Sequence, residues 1–311
     1  MTTRTALACA AVVGAVAALA AADTPRDAFG VGVLRRDGVI IPFGTYDGRR
    51  WHNDWPAPQT QLVVPVNLTS VPKRWWGPVG PLDTWQVWVG EKERAVHVTQ
   101  PDWVGVHCAR HLALRTDYAT AGVIPPEGEQ PYPKDGVVVS PPRSVERIQA
   151  ITPAAMELQP LAPVLLEAFN EAERQTSMRT SHPMPRRVRE QVTPSIEAAY
   201  AFGDSPRFYY VEAMRMYRQL GQAPGECAAS ALGTGWFVRE GGSFRSLMTA
   251  VDLLPCNGFG ASYMLPLGVM RRAGRLFWLA QFSGADHERY AVLELTPKRV
   301  DVMISTWGGG C

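Results

Sequence analysis

Turn-forming residues interrupt this chain so often that mostly short strands fit between them. Pro56, Pro58, Pro65, Pro72, Pro78, Pro81 and Pro101 break one stretch, and Asp37-Gly38, Gly203-Asp204-Ser205-Pro206, Gly241-Gly242 and Thr296-Pro297 punctuate others. A proline inside a helix loses an N–H and clashes with the preceding turn, whereas Asp-Gly and Gly-Gly supply the positive φ that tight hairpins need. The segments between these signals are short, aromatic and β-branched, as strands are.

Strands are predicted at Phe29 to Leu34 and Val39 to Ile41 around the Asp-Gly turn. Others follow at Gln61 to Leu68, Thr84 to Val89, Arg94 to Thr99, Val104 to Val106, Leu112 to Leu114 and Gly136 to Ser140. From Ser195 onward a meander is expected, with turns at Gly203–Pro206, Gly241-Gly242, Arg271–Arg275, Ser283–Asp286 and Thr296–Arg299. Runs such as Leu276-Phe277-Trp278-Leu279-Ala280 are apolar on both faces and call for cover on both sides. The fold class is therefore mainly β, an antiparallel, hairpin-rich sandwich, barrel or propeller-like architecture with one connecting helix. No repeat at a fixed period marks a regular propeller.

That helix is expected between Pro160 and Met178. Leu161, Val164, Leu165, Ala168, Phe169 and Ala172 recur at helical spacing, Pro163 suits the first turn, and Glu167, Glu171, Glu173 and Arg174 mark the outer face. Residues 180–191 read as a basic loop. The expected organisation is a signal peptide over 1–22, a Trp- and Pro-rich β region over 23–150, a helical connector and loop over 151–192, and a β meander over 193–311. The two β regions count either as separate units or as one domain.

The signal-peptide expectation rests on Arg4, an apolar run from Ala6 to Ala22, and Ala20-Ala21-Ala22 before Asp23. It implies export to the periplasm or the extracellular space. No later segment is long and apolar enough to span a bilayer. With 31 Lys+Arg against 29 Asp+Glu, the charge is too balanced for capture of nucleic acid. Cys9 would leave with the peptide, and Cys108, Cys227, Cys256 and Cys311 remain. An even number in an exported chain favours disulfides. Cys227 and Cys256 flank Gly241-Gly242 symmetrically, so a hairpin there brings them together and leaves Cys108 to Cys311. The cysteines lack the paired spacing of a zinc site, and His107 and His111 belong to a turn without a His-Glu-x-x-His motif, so no metal or cofactor is assigned.

Candidate chemistry is sparse. Glu212 lies in the strand Tyr209 to Tyr217 among aromatic and Met side chains, where burial would raise its pKa; a structural ion pair with a nearby arginine is the plainer expectation. His287 and Glu288 sit in Asp286-His287-Glu288-Arg289, a solvated turn that could instead serve acid–base chemistry. Ser230, Ser243 and Ser283 lack the Gly-x-Ser-x-Gly context of a hydrolase nucleophile. Gly233-Thr234-Gly235 marks a bulge or a close backbone approach. Trp75, Trp85, Trp88 and Trp103 could form an exposed aromatic platform for a carbohydrate or a protein partner. Trp75 and Trp76 would point to opposite faces if extended. The leading expectation is a non-catalytic ligand- or partner-binding protein. The alternatives are an exported hydrolase-type enzyme using Glu212, His287 and Glu288, and a structural envelope or surface component.

Overall fold

The computed structural model describes residues 27–61, 63–79, 83–89, 92–126, 128–218 and 227–311, so the signal-peptide segment lies outside the described residues. The strands are β1 (Phe29–Arg35), β2 (Val39–Tyr46), β3 (Trp51–His52), β4 (Thr84–Val89), β5 (Lys92–Val106), β6 (Ala109–Thr116) and β7 (Lys134–Ser140). They are followed by β8 (Gln149–Ile151), the helices α1 (Ala162–Arg179) and α2 (Arg186–Arg189), β9 (Ser195–Phe202), β10 (Arg207–Tyr217), β11 (Ala229–Glu240) and β12 (Ser243–Leu254). The last four are β13 (Tyr263–Arg272), β14 (Arg275–Ser283), β15 (His287–Leu295) and β16 (Val300–Gly310).

Three antiparallel sheets form. The first runs β1-β7-β4-β5-β6-β2-β3 and closes into a six-strand barrel because β1 also pairs with β2. The second runs β12-β11-β10-β9-β8 and the third β13-β14-β15-β16. Closure is achieved at the Asp37-Gly38 hairpin, where Leu34 faces Ile40 and Gly38 takes φ 80°. A closed barrel has no unpaired edge.

Alternation along the strands decides which sheet meets which. Leu34, Ile40, Trp85, Val87, Val96, Leu112, Leu114 and Val138, drawn from all six barrel strands, fill the barrel interior. Their neighbours Val31, Val33, Ile41, Phe43, Val137 and Val139 point outward and pack on Phe277, Leu279, Tyr290 and Val292 of the third sheet. The other face of that sheet, with Trp278, Ala280, Phe282, Ala291 and Leu293, packs on Phe208, Tyr210, Trp236 and Val238 of the second. The apolar character of both faces of β14 thus has its explanation: each face is covered. Burying each such large side chain stabilises by roughly 1.5–3 kcal/mol. The far face of the second sheet receives α1 through Leu165, Phe169 and Ala172. Gly233 is the close approach foreseen from its spacing, since a Cβ there would lie 2.4 Å from the Phe169 ring. The bulge lies further along, between Trp236 and Phe237.

Four local expectations are corrected. Val63 to Asn67 is irregular rather than a strand, because the prolines on either side leave no ladder to join. Arg94–Thr99 and Val104–Val106 belong to one strand, β5, which carries Pro101 past a register shift between Val98 and Gln100. Trp75 and Trp76 lie in a 3-10 segment, not an extended one, so both pack against Trp55 in one cluster. Residues 180–191 include the short helix α2. Both expected disulfides are present, Cys108–Cys311 and Cys227–Cys256. No helix among the described residues is long and apolar enough to cross a membrane.

Candidate functional site

The candidate tryptophans of the N-terminal region pack at the barrel interior and against its outer face. Trp85 is fully buried inside the barrel, Trp75 and Trp103 pack partly buried against the same cluster, and Trp88 packs against the outer core. Trp103 donates its indole N–H to the Val64 carbonyl at 2.8 Å. The rings of Trp75, Trp85 and Trp103 add their buried area to the barrel interior.

Glu288 is corrected from a solvated turn residue to a buried one. It sits at the start of β15 facing the barrel, and its carboxylate accepts from Lys134 Nζ at 2.7 Å and Gln281 Nε2 at 2.6 Å. Burial pulls the Lys134 ammonium down, and the charge of Glu288 holds it up. His287 remains at the surface turn, bonded to Asp286 at 2.7 Å. His107 occupies the β5–β6 turn, and His111 is buried with Nδ1 at 2.7 Å from the Leu112 carbonyl. Among the described residues no three His, Cys, Asp or Glu side chains group as a metal site would need.

The arginine expected to match Glu212 faces the other way. Successive residues of a strand alternate in direction, so Arg215 points to α1. There it donates to Glu173 at 2.8 Å and Asn170 at 2.6 Å, in a buried network joined by Tyr217 and His182. Glu173 is thereby also corrected from the outer face of the helix to its buried side. The sequence held no local signal of this pairing, whose members lie 42 residues apart.

Glu212 is left on the face toward the third sheet, 2 % exposed, with no ion-pair partner among the described residues. Oε1 accepts from the Met264 backbone N–H at 2.6 Å. Burial is the dominant influence and pushes the carboxyl up to about 7, against the Met264 N–H and the neighbouring Tyr210 hydroxyl, which lower it. Because the folded pKa lies above the ordinary value of 4.5, the folded chain binds more protons than the unfolded one between these limits. Stability contributed at this site is therefore full below about pH 4.5 and is lost as the pH rises through 7. The loss should amount to about 3 kcal/mol. Glu212→Gln should remove that slope and be the more stable protein at alkaline pH; urea midpoints across the pH range would show it, and an unchanged slope would refute it.

Beside Glu212 the second and third sheets part to leave a cleft of about 270 Å³. Tyr210, Thr234, Trp236, Met248, Ala250 and Asp252 line one wall; Phe282, Arg289, Ala291, Leu293 and Val302 line the other. The registers Tyr210↔Trp236, Glu212↔Thr234 and Thr234↔Ala250 set the first wall on a single face of β10, β11 and β12. Opposed strand side chains lie about 5 Å apart, so Glu212 adjoins the cleft through Thr234. The Tyr210 hydroxyl is buried yet forms no well-aligned hydrogen bond, although Glu212 and Thr234 are beside it. Leaving such a group unsatisfied costs roughly 1–3 kcal/mol. Trp236 and Trp278 meet edge to face at 5.1 Å behind it. A larger cavity of about 650 Å³ lies over α1, but Arg174 and Arg186, two of the three arginines lining it, are already paired with Glu171 and Glu190. Glu212 and Glu288 do not meet, since they occupy opposite sides of the third sheet. The sequence pointed to Glu212 through its aromatic neighbours; it gave no sign of Trp236, Phe282 or Asp252, which only the stacking of two sheets brings together. The chain matches no protein-family model, no curated protein and no solved structure.

Proposed function

We propose that this chain is an exported, non-catalytic binding protein whose site is the cleft between the second and third sheets. The observation that carries this reading is a cleft walled by Tyr210, Trp236, Phe282, Ala291 and Leu293, with a few polar groups among them. Pockets of this composition bind small molecules by burying an apolar body and directing it with a few polar groups. Export is supported by the two disulfides and by the N-terminal run. The volume places the ligand among small molecules, about one aromatic ring with a short substituent.

Phenethyl alcohol is a suitable probe, because its ring suits the cleft and its hydroxyl can meet Tyr210. Its binding should quench the emission of Trp236 and Trp278 saturably. Ala250 lies on the exposed edge strand β12 and lines the cleft. Ala250→Trp should fill the cleft and abolish the saturable signal, leaving the melting temperature near that of the parent. Equal binding by the parent and Ala250→Trp would remove the cleft as the site.

An enzymatic reading has one observation in its favour. A carboxyl held near neutrality beside a cleft is what general acid–base catalysis requires. Apart from the Tyr210 hydroxyl, no second acid, base or nucleophile contacts Glu212 among the described residues, and binding is the better supported reading.

A further inference from the structure

Hairpin turns at one end of the second and third sheets enclose a separate cavity of about 620 Å³. The β9–β10, β13–β14 and β15–β16 turns meet around it, and it shares no lining residue with the cleft beside Tyr210. Strand register makes its floor apolar. Phe202 pairs with Phe208 at the end of the second sheet, and Leu276 pairs with Leu295 at the end of the third. All four are buried members of the core between those sheets, so the cavity opens onto the last layer of that core. The turns carry compact residues over the opening, Gly203, Ser205 and Gly274 among them, and a Cβ on Gly274 would meet no atom within 4 Å.

The walls are held in place. Arg207 donates to the Gly203 carbonyl at 2.9 Å and to Gln149 Oε1 at 2.7 Å, which fixes the β9–β10 turn. In the β15–β16 turn the Thr296 N–H donates to the Arg299 carbonyl at 3.0 Å. Arg275 grips Glu294 through two bonds of 2.8 and 2.7 Å. Arg271 lies over the Phe202 ring at 5.1 Å and donates to Glu146 at 2.9 Å. Both arginines of the lining are thus met by a carboxylate. Asp204, in the β9–β10 turn, is exposed and has no hydrogen-bond or ion-pair partner among the described residues. The cavity therefore combines a buried apolar floor with one unmatched negative charge at its rim.

We propose that this cavity is a second ligand site, which takes a bulky apolar molecule bearing a cationic group. The body lies on Phe202, Phe208, Leu276 and Leu295, and the cation faces Asp204. The volume is that of a pocket for a small organic ligand, and walls fixed before binding lower the ordering cost. Affinity comes mainly from removing the apolar body and the cavity floor from water. Attraction to an exposed carboxylate is weak and screened by salt, so Asp204 sets a modest preference among ligands of the same body. The proposal does not depend on the cleft beside Tyr210.

The test uses the full mature chain carrying Ala250→Trp, in which the cleft is filled, and three probes with one body: naphthylmethylamine, naphthylmethanol and naphthoate. They carry an ammonium, a hydroxyl and a carboxylate. Calorimetry should show one saturable site, with the amine about threefold tighter than the alcohol and the carboxylate weakest. The preference should vanish in roughly 1 M salt, where the alcohol binds as before. Asp204→Asn should bring the amine to the affinity of the alcohol and leave the alcohol unchanged. Ser205→Trp places a ring from an exposed turn position over the cavity and should abolish binding of all three, with the melting temperature near that of the parent. Absence of binding by every probe, or binding untouched by Ser205→Trp, would overturn the site. Equal affinity for amine and alcohol would overturn the cationic assignment, and preference for the carboxylate would overturn it in favour of Arg271. Because the cleft is filled throughout, none of these outcomes bears on the reading of the cleft.

Discussion

Lys134→Met should destabilise the protein by about 3–5 kcal/mol, read as a fall in the urea midpoint. Lys134 and Glu288 are 1 % and 0 % exposed and meet at 2.7 Å, where β7 of the barrel faces β15 of the third sheet. Lys134 also donates to the Tyr132 carbonyl at 2.6 Å. Removing the ammonium leaves a carboxylate in the interior with, among the described residues, only Gln281 and the more distant Tyr290 hydroxyl as donors. Bringing two charges together in the interior costs nearly as much as their attraction returns, whereas an orphaned charge has no compensation. The double variant Lys134→Met with Glu288→Gln should therefore recover most of the loss, since the glutamine oxygen still accepts from Gln281. A small loss in the single variant, or a double variant no better than the single, would show that the two groups do not act as a pair.

Removing Cys108–Cys311 should cost more than removing Cys227–Cys256, about 5 against about 4 kcal/mol from the closure entropy of the two loops. The first bond spans 203 residues and the second 29. The first also fixes the end of β16, an edge strand, against the β5–β6 turn. There the Cys311 N–H reaches the Asp286 carbonyl at 2.8 Å, and a Cβ on Gly309 would lie 2.7 Å from the Val106 carbonyl. Chemical denaturation of the two double-alanine variants would rank them. A larger loss on removal of the shorter loop would mean that local strain or native contacts, not chain entropy, set the contribution of these bonds.

Much of the local structure was legible because it is decided by neighbours in the chain. Asp37-Gly38 and Gly241-Gly242 turn hairpins, since few other residues accept positive φ there. The Gly-Gly turn then sets the registers that bring Cys227 to Cys256. The helix was legible from its apolar spacing, with its observed bounds at Ala162–Arg179. Where the reading failed, a contact from far along the chain had intervened. Glu173 lies on the side of α1 that the sequence marks as polar, yet Arg215 and Tyr217 of β10 draw it inward. Glu288 has the neighbours of a surface turn, yet Lys134 meets it from the barrel. Trp85 had the look of a binding residue, but barrel closure placed it inside.

By itself the sequence determined that the chain forms antiparallel strands with one long helix and where the tight turns fall, and it favoured the cysteine pairing that the structure shows. Periodicity, turn chemistry and spacing are properties of the chain, and short-range sterics enforce them. Only the tertiary structure decided that the first strands close into a barrel, that the third sheet lies between the barrel and the second sheet, and that Glu212 is buried between the second and third sheets without an ion-pair partner among the described residues. Those outcomes depend on which apolar face meets which. Hydrophobic burial is non-directional and rewards any partner that excludes water, so a strand's own residues state that a face will be covered without stating by what.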